Sequence, residues 1–164
     1  MNGATPKVRV IPDDAESKSE LSTVVPKCYT GLVESLLISE EDIQSRLAEL
    51  AHEVGSELAG EEVTIVCVLK GAAPTATAFA RALRREPVGP IKLLFIKLSS
   101  YQGTQSTGKV EVSGGLSEAD VAGRHVLVVE DIVDTGHTAV ALRQLFEAKK
   151  PLMRSVMMRM SIIA

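Results

Sequence analysis

The stretch VLVVEDIVDTGHT, Val126 to Thr138, decides how the rest of the chain is read. Its first four residues are aliphatic at odd and even positions alike, the pattern of a strand covered on both faces. Two carboxylates follow, Glu130 and Asp131. After the spacer pair Ile132 and Val133 a third, Asp134, opens the turn Asp134-Thr135-Gly136-His137-Thr138. The turn leads into TAVALRQLFEAKK, which reads as a helix ending before Pro151. Free backbone N–H groups and the helix dipole at such a start favour a phosphate, and Gly136 lets the backbone come close to it. Three carboxylates at the mouth of a buried strand repel one another unless a cation or several ligand hydroxyls satisfy them. A ligand with a phosphate, a diol and an accompanying Mg²⁺ meets both demands, and a phosphorylated ribose has all three. Taken one at a time, the same residues also suit a plain helix cap beside two solvated acids.

Working outward, VTIVCVL at 63–69 is a second run apolar on both faces, followed by the loop KGAAP and a helix-forming stretch TATAFARALRR. IKLLFIKL at 91–98 is a third such run, and it leads into SSYQGTQSTGKVEVSGG, a polar stretch that reads as a mobile loop or a hairpin. Upstream, Ser39 is a helix cap with Asp42 at the capping-box position, and Ile43, Leu47, Leu50, Val54 and Leu58 recur at helical spacing until Gly60. Residues 1–27 show no sustained periodicity and read as an arm ahead of one domain at 28–164. A fourth apolar run, SVMMRMSII, lies at 155–163. Buried strands alternating with helices at these lengths predict an α/β fold with a mainly parallel sheet flanked by helices. In such a sheet the ligand crevice lies beyond the carboxyl ends of the strands. KGAAP and EDIVDTGHT are the two loops expected at that edge.

Composition narrows the function classes. A chain of 164 residues, 45% hydrophobic and 24% charged, has the make-up of one globular domain with one core. Its net charge of -3 and the lack of a basic stripe argue against nucleic acid or an acidic membrane as partner. The two cysteines, Cys28 and Cys67, are too few for a disulfide framework, and Cys67 falls inside an apolar run where a buried reduced thiol is expected. The start MNGATPKVRV lacks an apolar secretion core, and no stretch of about 18 apolar residues occurs, so a cytoplasmic enzyme is the expectation. The P-loop pattern is absent. His52, His125 and His137 lack zinc-ligand spacing. Asp134-Thr135-Gly136 opens a helix in an α/β chain, which sets aside an aspartic-protease reading.

The whole string resembles the phosphoribosyl-pyrophosphate signature of type I phosphoribosyltransferases, and within that family it is most similar to the hypoxanthine-guanine phosphoribosyltransferases. VLKGA at 68–72 resembles the family's pyrophosphate loop and SSYQGTQSTGKVEVSGG its active-site loop. The lead-in VPKCYTGLVESLLIS is also similar, so the likeness covers roughly residues 25–150. The resemblance implies transfer of a 5-phosphoribosyl group to hypoxanthine or guanine, with Mg²⁺ as cofactor and a homodimer or homotetramer as assembly. It implies that Glu130 and Asp131 hold the ribose hydroxyls, directly or through Mg²⁺, and that Ile132 and Val133 line the same loop. Asp134 is implied as general acid or base near the purine N7, with Thr135, Gly136, His137 and Thr138 around the 5′-phosphate. Lys70 and Gly71 would receive the pyrophosphate across a cis peptide at the Lys70–Gly71 step, and Ser100 and Tyr101 would belong to the closing loop.

The chain departs from the family pattern in three places. Ser99 and His137 stand where many relatives have Lys. Family members also continue past SVMMRMSII with a Lys that reads the purine 6-oxo group, a stacking aromatic and a further Asp, so the purine-binding hood is expected to be incomplete. That absence leaves a rival of another class, a catalytically silent donor-binding or subunit-interaction domain.

Overall fold

The computed structural model describes residues 25–29, 31–33, 36, 38–100, 110–114, 116–132 and 136–148. It divides into two units, Met1–Leu47 and Ala48–Ala164. In the first, Lys27–Tyr29 form a 3-10 turn in which Tyr29 N donates to Pro26 O at 2.8 Å. The first turns of helix α1 (Glu40–Glu57) follow. Ser39 caps it: its Oγ accepts from Asp42 N at 3.1 Å and donates to the Asp42 carboxylate at 2.7 Å.

In the second unit the remainder of α1 buries Ala51 and Val54, with Leu58 just beyond its end. Gly60 at φ +78° then turns the chain, a conformation that glycine adopts without steric cost. Strand β1 (Val63–Leu69) is buried over its first six residues, which is why its apolar pattern shows no alternation. Helix α2 (Ala73–Leu83) begins inside the stretch read as a loop, because Pro74 suits the first helical turn. Strand β2 (Ile91–Ser100) runs two residues further than its apolar core. The stretch after it is a hairpin in part, since β3 (Val110–Ser113) returns antiparallel against Lys97–Ser100. A 3-10 turn at Glu118–Asp120 leads to β4 (His125–Val129), and helix α3 (His137–Ala148) ends the described chain. The apolar run at 155–163 lies outside the described residues.

The sheet order is β3-β2-β1-β4, with β2 and β4 both parallel to β1 and β3 antiparallel at one edge. The expected mainly parallel α/β sheet is therefore present. On one face Val66, Val68, Ile96, Val126 and Val128 pack with Val121 and with Leu142 and Phe146 of α3. The other face of β1, Val63, Ile65 and Cys67, is fully buried as well. Helix α2 contacts β1, yet none of its described buried residues joins the α3 cluster, so the two helices cover opposite faces. Beside the α3 face a polar staple holds the turn before β4. Asp120 accepts from Lys92 Nζ, from Ser117 N at 2.8 Å and from Ser117 Oγ at 2.6 Å, while Thr64 Oγ donates to Asp120 O at 2.8 Å.

Two stability predictions arise from this packing. Phe146 is fully buried in the α3 cluster, so Phe146→Ala should cost about 3–5 kcal/mol, measurable by urea denaturation. The Lys92 ammonium, and then the Ser117 donors, hold the Asp120 carboxyl well below its usual value of 3.8. A carboxyl lowered on folding stabilises fully above its unfolded pKa and loses that contribution as pH falls through the folded value. Asp120→Asn should therefore melt lower than the parent chain at pH 6, and the gap should close in melts run progressively below pH 3.8.

Candidate active site

The site lies where β1 and β4 end side by side. Their register runs from Val63↔His125 to Cys67↔Val129, so continued by two residues it sets Glu130 and Asp131 level with Val68 and Leu69, the end of β1 just before the Lys70–Gly71 turn. One strand continues into Lys70 and Gly71, the other into Glu130 and Asp131. Because α2 and α3 leave on opposite faces, the gap between these two strand ends is the switch point at which an open α/β sheet forms its crevice. The two loops meet there. A Cβ built on Gly71 would lie 2.6 Å from Asp131 Cγ, so the absence of a side chain at Gly71 is what lets the Asp131 carboxylate sit against the turn.

The cis peptide falls at Leu69–Lys70, one step earlier than the Lys70–Gly71 step implied by the resemblance. The turn that follows is closed by Ala73 N donating to Lys70 O at 3.2 Å. At the start of α2, Ala72 occupies the cap position without a side-chain cap among the described residues.

The two acids differ in surroundings because successive residues leave a strand on opposite sides. Glu130 follows Val128 on the α3 face and is 9% exposed. Burial first, and the Asp131 charge second, push its carboxyl up from the ordinary 4.5. Asp131 lies on the α2 face, is exposed, and accepts from Ile132 N at 3.0 Å. Behind it Cys67 is a buried free thiol, pushed up by burial and then by the Asp131 charge. Ile132 is 63% exposed at the mouth. Gly136 takes φ +76° immediately before α3, and its carbonyl accepts from Val140 N at 3.0 Å. His137 and Thr138 form the first residues of that helix, whose first turn contains no acid. An anion at this terminus would meet backbone N–H groups and the positive end of the dipole.

Of the residues singled out from sequence, Lys70, Gly71, Glu130, Asp131 and Ile132 come together at this edge, and Gly136, His137 and Thr138 open α3. Ser100 is the last residue of β2. Tyr101, Val133, Asp134 and Thr135 lie outside the described residues. No group of three or more His, Cys, Asp or Glu side chains suited to a metal occurs among the described residues. Two mutually repelling carboxylates still fit Mg²⁺, which keeps waters and substrate oxygens in its shell and needs one or two protein carboxylates. The repulsion between Glu130 and Asp131 was legible from sequence, but the charge field that Asp131 exerts on Cys67 was not, because it depends on which strand lies beside β1.

Comparison with known proteins identifies the family and the fold. Residues 38–158 match the family model for the phosphoribosyl transferase domain. The chain belongs to the phosphoribosyltransferase family, and the arrangement of its sheet and helices is the type I fold of those enzymes. More narrowly, it is 35% identical to hypoxanthine-guanine phosphoribosyltransferase of Canis lupus familiaris over 93% of this chain and 73% of that one. It is 36% identical to the Streptococcus thermophilus enzyme of the same name over 72% of this chain and 63% of the other. The crystal structure of a Staphylococcus aureus hypoxanthine phosphoribosyltransferase superposes with a TM-score of 0.62 at 29% identity, covering 78% of this chain and 67% of that one. No described helix is long and apolar enough to cross a membrane.

Two substitutions probe the edge. Gly71→Ala should leave the melting temperature within a few degrees of the parent but push the Asp131 carboxylate aside, so that donor binding measured by calorimetry is lost. Glu130→Gln should raise the melting temperature of the ligand-free chain at neutral pH, since it removes a buried charge whose pKa is raised on folding. That gain should vanish in melts at acid pH, where Glu130 is itself protonated and neutral.

Proposed function

We propose that the chain transfers the 5-phosphoribosyl group from phosphoribosyl pyrophosphate to N9 of a 6-oxopurine, hypoxanthine or guanine, giving IMP or GMP and pyrophosphate in purine salvage. The observation that carries this reading is the contact of the Gly71 turn with Asp131 at the switch point, beside an acid-free helix start, in a chain related to enzymes of that name. In the transfer the bond from C1′ to the pyrophosphate oxygen breaks and the bond from C1′ to N9 forms.

Each end of the donor has a matching element. Glu130 and Asp131 take the ribose hydroxyls, and the buried, raised Glu130 is relieved when hydroxyls or a cation approach. Glu130 and Asp131 would also hold Mg²⁺, which would supply positive charge where the donor is most negative. The backbone of Thr135 to Thr138 receives the 5′-phosphate at the start of α3. Lys70 and the Gly71 turn receive the departing pyrophosphate. Asp134 handles the proton at purine N7. Ser100, at the end of β2, leads into Tyr101 and a closing loop that excludes water. Positioning and charge stabilisation supply most of the acceleration, because no nucleophilic side chain is required.

The transferase domain is assigned to residues 28–164 with an N-terminal arm at 1–27, in a cytoplasmic homodimer or homotetramer. The reading is tested by a nucleotide-formation assay on the purified chain with Mg²⁺, donor and each purine. Product is expected from hypoxanthine or guanine, and Asp134→Asn should lower kcat/KM about 10²–10⁴-fold. Donor binding without any product would instead support the silent-domain reading.

A further inference from the structure

The β2 side of the Gly71 turn carries a cation that the foregoing roles leave unused. Lys97 is the register partner of Leu69, the last residue of β1. Continued by two residues, the β1–β4 register brings Asp131 opposite Leu69 on the other side. Side chains two residues apart share a face of a strand, so Lys97, Leu69 and Asp131 form one row on the face of Cys67 and Phe95. The nearness of Asp131 to Cys67 and to Gly71 places its carboxylate on that face independently. The row therefore lies directly under the Lys70-Gly71-Ala72 turn and the start of α2.

The row is polarised. Its acid is on the β4 side and its cation is on the β2 side, with the partly exposed Leu69 between them. Adjacent strands lie about 4.8 Å apart, a span that an extended lysine side chain crosses. Among the described residues nothing acidic stands in the first turn of α2 and no side chain caps it, so no negative charge there opposes an anion beside Lys70. The Lys97 backbone is paired on both sides, with Leu69 and with Ser113, whose Oγ donates to Lys97 O at 3.3 Å. The side chain is thus presented from the interior of the sheet, on a backbone held from both flanks.

We propose that Lys97 is a further substrate-binding residue, a second ammonium that holds the pyrophosphate group from the β2 side while Glu130 and Asp131 hold the ribose from the β4 side. This rests on the donor assignment made under the proposed function. The charge layout of the edge then follows that of the donor: cations at the pyrophosphate, carboxylates at the diol.

The test compares the wild-type chain with Lys97→Met, Lys97→Arg and Phe95→Leu, a control two residues earlier on the same strand face. Initial rates with donor and purine, product inhibition by pyrophosphate, and calorimetric binding of Mg²⁺-pyrophosphate are measured for each. Lys97→Met should raise the KM for the donor and weaken pyrophosphate binding about tenfold, with the KM for the purine unchanged. Lys97→Arg should restore most of the loss, and Phe95→Leu should show none of it. Unchanged donor KM and pyrophosphate binding in Lys97→Met would overturn the proposal while wild-type turnover leaves the donor assignment standing. An equal loss in Phe95→Leu, or an equal rise in the purine KM, would also overturn it, since a distorted strand would then be the cause. A wild-type chain that binds neither donor nor Mg²⁺-pyrophosphate would sink both readings together.

Discussion

Everything the site does depends on the parallel pairing of β1 with β4. Parallel strands cannot be joined by a tight turn, so the two reach each other only after the chain has passed through α2, β2, β3 and the Glu118–Asp120 turn. Once paired in the register Cys67↔Val129, they set two carboxylates level with the last two residues of β1, at the foot of the glycine turn. A slip of one residue would send Asp131 to the α3 face and Glu130 towards Gly71, because side chains alternate along a strand. The fully buried residues on both faces of β1 oppose such a slip, since each would have to change its packing partners. Core and site are in this sense one constraint.

The carboxylates of the second unit show two ways of handling negative charge. Asp120 is met by the Lys92 ammonium and by two donors of Ser117, which satisfy it within the fold and lower its pKa. Glu130 is nearly as buried, yet its neighbour is Asp131, and burial and repulsion raise its pKa together. The first arrangement serves stability. The second stores an unfavourable charge that a ligand bringing hydroxyls or a cation can relieve, which is how a fold gives up stability for binding.

The alternation of buried strands and helices was legible because the apolar runs at 63–69, 91–98 and 126–129 are too short and too evenly apolar for amphipathic helices. The Ser39 cap, the Gly60 stop and the α3 start were legible for a local reason as well: they depend on residues within one turn of each other. Departures came where local chemistry and the surrounding fold compete. Helix α2 starts at Ala73 because Pro74 is tolerated inside a first turn, while of the two readings of the polar stretch after β2 the hairpin is the one seen where β3 pairs with Lys97–Ser100. The cis peptide precedes Lys70 rather than following it.

By itself the sequence determined the order of the elements, the acidic strand end, the glycine turn and the helix start that can receive a phosphate, because each is written in a few contiguous residues. Tertiary structure alone decided what those residues face. Strand order put Asp131 against Gly71 and beside Cys67, buried Glu130 on the opposite face, and set Lys97 in the row with Leu69. Such neighbours are separated by tens of residues along the chain, and only strand pairing and the pleat bring them together.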